Sequence, residues 1–262
     1  MAEFIGQHWL LLRGLSRESA HWGDFPAKLQ ARFPAASIAT LDLPGTGEYF
    51  RQASPKEIAQ ITAWIREQAE QKGLLNYPLT LLGLSLGGMV AWEWAAKHPN
   101  EICAAVLINS SFASLNPFYQ RMRWQNYPRL AAIICECDHD RRERQIVRWV
   151  ANRADVEATA AVWAEIQRQR PVALSTTINQ LAAAARYRPS KVKPPQPLLL
   201  LNSRGDRLVD PACSEAISRH WQLPLLTHPR AGHDLPLDDG GWLAEQLQGW
   251  VRESNQGAGA AG

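Results

Sequence analysis

Two hydrophobic patterns of different period meet at Ser85, and that junction limits the folds open to the chain. Leu79, Leu81 and Leu82 form a short apolar run suited to a buried strand. Met89 to Lys97 follows a helical pattern and meets no proline until Pro99. Between them Gly83-Leu84-Ser85-Leu86-Gly87 reads G-x-S-x-G. A strand that turns this abruptly into a helix brings its own backbone too close for side chains at 83 and 87. Such a turn lifts Ser85 Oγ clear of the sheet and aims the first amides of the helix at a developing negative charge. The pattern predicts a nucleophile. The competing reading is a tight strand–helix turn with an inert serine.

The rest of the chain repeats the alternation. Strands are predicted at His8–Leu12, Ser37–Leu43, Leu79–Leu84, Ala104–Asn109, Pro197–Asn202 and Leu223–His228. Helices are predicted from about Ala20 to Phe33, from Ser54 to Lys72, after Ser85, from Pro211 to Trp221 and from Trp242 to Arg252. Ser54, Pro55 and Glu57 have the spacing of an N-cap, an N1 proline and a capping box, and Ile58, Ile61 and Ile65 then share one helix face. Apolar strands alternating with helices predict an α/β fold: an about six-stranded, mainly parallel sheet with helices on both faces.

Between residues 112 and 188 the rhythm stops. This stretch has no strand pattern and several helical segments rich in Ala, Arg and Trp, broken near Pro117, Pro128 and Pro171. It is too long for a plain loop. The expected organisation is a core in two parts, 1–111 and 189–253, with an inserted helical cap at 112–188 and a flexible tail at 254–262. Such a cap would cover the C-terminal ends of the strands, where open α/β sheets carry their sites.

Composition narrows the function. The 262 residues suffice for one α/β domain with a substantial core, and the net charge of +3 is too small to argue for nucleic acid. No apolar run is long enough for a membrane span, and the opening residues read as a first strand rather than a signal peptide, so the cytoplasm is the expected compartment. Cys103, Cys135, Cys137 and Cys213 lack framework spacing and are expected as free thiols. Cys135-Glu136-Cys137-Asp138-His139-Asp140 suggests a metal cluster at first sight. On a helix, however, side chains at i and i+2 point apart, and no C-x₂-C pair stands elsewhere. Neither a Walker A nor a dinucleotide fingerprint is present. No metal and no cofactor is expected.

A serine hydroxyl needs a base at neutral pH. Among seven histidines, His233 lies in Arg230-Ala231-Gly232-His233-Asp234, just after the sixth strand and so at the sheet edge that carries Ser85. His228, at the end of that strand, suits a structural role. The base in turn needs an acid to fix its tautomer. Asp206 follows the fifth strand directly, whereas Asp210, beside Pro211, suits a helix cap. The chain order Ser85, Asp206, His233 is the order of α/β-hydrolases.

On these residues the chain resembles the α/β-hydrolases of the capped esterase type, similar in layout to the pimeloyl-acyl-carrier-protein methyl ester esterases. The likeness covers about residues 8–252. It is specific at Gly14-Leu15, at Asp42-Leu43-Pro44-Gly45, at the elbow, and at the Gly205-Asp206 and Gly232-His233 loops. It implies an oxyanion hole made by the backbone N–H groups of Leu15 and Leu86. Arg13-Gly14 stands where that family commonly has His-Gly, and Pro44-Gly45-Thr46-Gly47 where it commonly has Pro-Gly-His-Gly. The family's usual first two strands are absent.

Together these readings predict a cofactor-free serine hydrolase that cleaves a small-molecule carboxylic ester through an acyl-enzyme on Ser85. The same machinery serves a thioesterase, an amidase, a lysophospholipase or an acyltransferase, and a non-catalytic ligand-binding protein could keep the fold. Residues 119–188 carry twelve arginines and no lysine against seven acids. Arg121, Arg123, Arg141, Arg142 and Arg144 could meet an anionic or carrier-bound acyl substrate through their planar forks, or could simply face solvent.

Overall fold

The computed structural model describes residues 5–259. Six strands, β1 (His8–Leu12), β2 (Ser37–Thr40), β3 (Leu79–Leu84), β4 (Ile102–Ile108), β5 (Leu198–Ser203) and β6 (Leu225–His228), form one sheet in the order β2-β1-β3-β4-β5-β6. All five pairings are parallel. Every strand therefore ends at the same edge, and the loops after β1, β3, β5 and β6 meet there.

Period-two alternation divides the core. Leu10, Leu12, Leu79 and Leu81 pack on one side with Ile58, Ile61 and Ile65 of helix α2 (Ile58–Gln71), with α3 (Leu86–Lys97) and with α9 (Ala212–Trp221). Trp9, Leu11, Leu82 and Leu84 pack on the other with α1 (Phe25–Arg32) and α10 (Leu235–Gly259). The three isoleucines of α2 are almost fully buried. Each contributes about 1.5–3 kcal/mol by leaving water, which outweighs helix propensity in fixing that face.

Between β4 and β5 the chain forms α4 (Phe118–Arg121), α5 (Tyr127–Cys135), α6 (His139–Val150), α7 (Val156–Gln169) and α8 (Leu174–Arg186). Helices α6 and α7 share a small core of their own, Val147, Ala151, Ala160, Trp163 and Ile166. Asp138 and Asp155 cap their N-termini by accepting from Arg141 N and from Glu157 N and Ala158 N.

Several boundaries differ from the sequence reading, each for a tertiary reason. Helix α2 starts at Ile58, and the capping box at Ser54 does not form. Ser54 is buried, and its carbonyl accepts from Asn179 Nδ2 of α8 instead. Strand β2 stops at Thr40 because Asp42 leaves the sheet to accept from Ser19 N, Ser19 Oγ and Glu48 N. Residues Ser19–Trp22 form a 3-10 turn, so α1 starts at Phe25. The last helix starts at Leu235, kinks at Asp239 and continues to Gly259. The tail expected from Ser254 is thus helical as far as it is described, and 260–262 lie outside the described residues. Buried Val251 and a bond from Asn255 Nδ2 to Ile5 O hold this end against the start of the chain.

Candidate active site

Ser85 occupies the turn between β3 and α3 with φ 57° and ψ −112°. This backbone is unfavourable for a residue with a Cβ, by about 1–3 kcal/mol, and the surroundings hold it there. Ser85 N donates to Ile108 O at 2.8 Å, and Ser85 O accepts from Ser110 Oγ at 2.9 Å and from Gly88 N at 3.0 Å. The flanking glycines are required by close approach. A Cβ on Gly83 would run into the Gly87 carbonyl, and one on Gly87 into the carbonyls of Leu12 and Arg13. Ser85 opens into a cavity of about 310 Å³ whose mostly apolar wall combines the strand-end loops with residues of α4 to α8.

His233 lines the same cavity and is buried, and its Nδ1 lies 2.7 Å from Asp206 Oδ2. A carboxylate can only accept, so Nδ1 carries a proton towards Asp206, and in the neutral ring Nε2 is the nitrogen with the lone pair. The other carboxylate oxygen, Asp206 Oδ1, accepts from Leu208 N and Val209 N at 2.8 and 2.9 Å, which fixes the acid's orientation. Asp206 lies behind His233, outside the cavity wall. Ser85 and His233 make no direct hydrogen bond in this geometry, and such bonds commonly close only around substrate.

Leu15 and Leu86 also line the cavity. Among the described residues neither backbone N–H has a hydrogen-bond partner, which leaves two donors at one end of the nucleophile. The loop bearing Leu15 is pinned by Ser16, at φ 54°, whose N–H donates to Gln180 Oε1 at 2.8 Å. Asp210 accepts from Ala212 N at the start of α9, as a helix-start residue does. His228 is structural: its Nδ1 accepts from Ala231 N at 2.7 Å and shapes the loop before His233.

Four features of the surroundings had no signal in residue spacing. The guanidinium of Arg13 forks onto the Asp234 carboxylate at 3.2 and 2.5 Å, both side chains buried, tying the loop after β1 to the residue that follows His233. Asn109, at φ 47°, donates from Nδ2 to His233 O at 2.8 Å and accepts from Ser203 N at 2.9 Å. Asn152, between α6 and α7, donates from Nδ2 to Gly205 O and Arg230 O, one in each loop that carries the acid and the base. Arg17 pairs with buried Glu143 of α6 at 2.8 Å. Next to that pair, His21 is held neutral, its pKa lowered well below the usual value first by burial and then by Arg17 and Arg13.

The arginines between β4 and β5 are mostly engaged. Arg121 is buried and donates to Ala184 O and Ala185 O at the end of α8, and burial brings its pKa down to about 10. Arg123 pairs with Asp210, Arg142 with Glu143 and Arg144 with Glu157. Of the acids named, only Asp210 lies outside the segment, so among these arginines Arg123 is the one whose charge an acid beyond the seven offsets. Cys135 and Cys137 are exposed thiols, and no cluster of metal-ligand residues occurs among the described residues.

Fold and site together define an α/β protein built around a strained serine at a strand-to-helix turn, with a histidine–aspartate pair delivered by the last two strand-end loops. The model of the alpha/beta hydrolase family matches residues 9–246, and the chain belongs to that family. A pimeloyl-[acyl-carrier protein] methyl ester esterase of Vibrio parahaemolyticus is 31% identical over 115 residues, which is 43% of this chain and 41% of that protein. The chain thus spans about two fifths of the curated relatives it matches. Among solved structures, a membrane phospholipase A superposes with a TM-score of 0.73 at 18% identity over 94% of this chain and 79% of the other. A Burkholderia cenocepacia structure described as a putative aryl esterase gives 0.68 at 21% identity, over 97% and 92%. No helix among the described residues is long and apolar enough to cross a membrane.

Proposed function

We propose that this protein is a serine carboxylester hydrolase of the cytoplasm that works through an acyl-enzyme on Ser85. The observation that carries the reading is the meeting, in one cavity, of the strained Ser85, the Asp206-oriented His233 and the two unpartnered amides of Leu15 and Leu86. Ser85 Oγ attacks the ester carbonyl carbon while His233 Nε2 takes its proton. The carbonyl oxygen gains the negative charge and accepts from Leu15 N–H and Leu86 N–H, donors that need no reorganisation. Collapse expels the alcohol, protonated by His233, and leaves the acyl group on Ser85. Water, deprotonated by the same imidazole, then releases the acid and restores the serine. Asp206 stays ionised and stabilises the imidazolium in both halves.

The named activities of the relatives support an ester substrate, and the apolar cavity suits an acyl chain. An ester carried on an acyl-carrier protein is the second reading, favoured by the likeness to the Vibrio protein. A salt dependence confined to carrier-bound substrate would distinguish it.

The test is turnover of esters and thioesters graded by acyl length. Ser85→Ala and His233→Ala should each lower kcat by a factor on the order of 10⁴, and the double variant should be little worse, since the residues act as a unit. A His233→Ala protein that keeps a tenth of the activity would overturn the assignment.

A further inference from the structure

A side chain that lines the cavity and also reaches solvent marks where the cavity opens. Among the described residues the lining side chains that are exposed are Phe118, Ile134 and Leu174, at 50%, 39% and 54%. All three are apolar, and they come from α4, α5 and α8. The apolar rim continues outwards from each. The Phe118 and Tyr127 rings lie 5.9 Å apart. Trp124, the most exposed aromatic residue of this region, sits in the 3-10 turn between them, and its carbonyl accepts from Tyr127 N. On α8, Ile178 stands one turn after Leu174 and is more than half exposed. Helix α5 carries a single charge, Arg129, yet Ile133 is its one buried side chain. A helix that is apolar nearly all round belongs in a core or against another apolar phase, and a contiguous exposed patch of this kind marks an interaction site.

The position of the patch decides what covers it. A second copy or another protein seated there would close the mouth through which a substrate has to pass. A lipid surface would instead hold apolar molecules directly in front of it. The side chains agree with that occupant. Tryptophan and tyrosine, each an apolar ring with a polar tip, suit a lipid–water boundary. Residues 112–135 contain three arginines and no acid. Arg121 is buried and Arg123 is paired with Asp210. Arg129 is exposed and enters no ion pair among the described residues, so its charge is available to anionic headgroups.

We propose that the rim formed by α4, the turn at Trp124, α5 and the start of α8 docks on the surface of an anionic phospholipid bilayer, and that the enzyme draws its ester from that bilayer through the apolar mouth. The source of the ester rests on the ester-hydrolase reading, whereas the docking does not. Trp124 and Ile178 contribute apolar surface outside the cavity, Phe118, Ile134 and Leu174 carry the apolar path from the rim into it, and Arg129 adds a preference for negative headgroups.

The experiment is cosedimentation of the full chain with phosphatidylcholine vesicles and with mixed phosphatidylcholine–phosphatidylglycerol vesicles. Beside it, turnover is measured for a short-chain ester in solution and for a long-chain ester dissolved in the same vesicles. The wild-type chain should bind both kinds of vesicle, the anionic ones more tightly, and added salt should remove only that difference. The double variant Trp124→Ser/Ile178→Ser changes two exposed side chains that do not line the cavity. It should weaken vesicle binding by about tenfold or more and slow the vesicle-borne ester in proportion, while the dissolved ester turns over as with wild type. Arg129→Gln should abolish the preference for anionic vesicles, and a preference that survives it would overturn the headgroup assignment. Vesicle binding without turnover of either ester would overturn the hydrolase reading and keep the docking face. Turnover of both esters without vesicle binding, or binding that the double variant leaves intact, would overturn the docking face and keep the hydrolase. A wild-type dimer in sedimentation velocity that the double variant dissociates, with no vesicle binding, would assign the face to a second copy and overturn the proposal.

Discussion

Around Ser85 most restraints come from residues close in sequence, Gly83 and Gly87, the end of β3 and the first turn of α3, joined by Ile108 O, by Ser110 Oγ and by the Leu12 and Arg13 carbonyls that press on Gly87. Around His233 they come from four separate segments. Asp206 orients its ring, Asn109 holds its carbonyl, Arg13 holds the next side chain, and Val150 O accepts from Asp234 N. Asn152 ties the loops of acid and base together. The nucleophile is thus a largely local structure, closed by the two strands on either side of β3. The base is an assembled structure that exists only once the sheet and the helices between β4 and β5 have docked. Local geometry has few ways to fail and fails completely, whereas an assembled site can be loosened by degrees.

That contrast sets the expected effects. Gly87→Ala should be the most severe, because its Cβ would be driven into the carbonyls of Leu12 and Arg13, both backbone atoms that cannot swing aside. Loss of soluble folded protein together with activity is expected. A folded, active Gly87→Ala chain would show that the turn is not under the constraint described.

Arg13→Met comes next. Removing one partner of a buried ion pair leaves Asp234 charged and unpaired, at a cost of about 3–5 kcal/mol. The double variant Arg13→Met/Asp234→Leu should recover much of that stability in denaturant melts, since neither charge remains buried alone. Its kcat should stay below wild type, because the loops after β1 and β6 have lost their tie. Full recovery of kcat would show that the pair supports the fold and not the placement of His233.

Asn152→Ala should act more mildly. It removes two exposed hydrogen bonds, each worth about 0.5–1.5 kcal/mol net. A fall of several-fold in kcat, with KM little changed and the melting temperature nearly preserved, is the expected pattern. An equal loss in melting temperature and no change in kcat would make the residue a plain packing element.

The titration of His21 should give the smallest effect, and only in acid. Its folded pKa is lowered, so below about pH 6.5 the unfolded chain binds a proton that the folded chain refuses. Its contribution to stability is present above that pH and is lost as the pH falls towards the folded value. His21→Asn should flatten the decline of denaturant stability with acidification in this window. An unchanged slope would show that other groups cause it.

The same contrast explains what could be read from the sequence. The elbow was legible because glycine spacing, an apolar strand and an unbroken helix are all local signals. The parallel sheet followed from the alternation of the same signals, and strand-end position alone pointed to Asp206 and His233. The bonds that hold the base were not legible. Asn109 and Asn152 look like ordinary loop residues, and Arg13 and Asp234 are 221 positions apart. The missed start of α2 has a related cause: Ser54 and Glu57 had the right spacing, but Ser54 is buried and its carbonyl accepts from the Asn179 side chain of α8, a contact no local pattern signals. The individual ion pairs of the arginines were not legible either, since the acids that pair with Arg123 and Arg144 lie 87 and 13 residues away and no spacing rule joins them.

The central claim is that Ser85 is a nucleophile activated by His233, and a fluorophosphonate probe tests it without knowledge of the substrate. Intact mass and peptide mapping should show one adduct, on the peptide containing Ser85, formed rapidly at neutral pH. His233→Ala should slow its formation by several orders of magnitude while the folded state persists by circular dichroism. An adduct on another residue, no adduct at all, or a labelling rate that His233→Ala leaves unchanged would contradict the account.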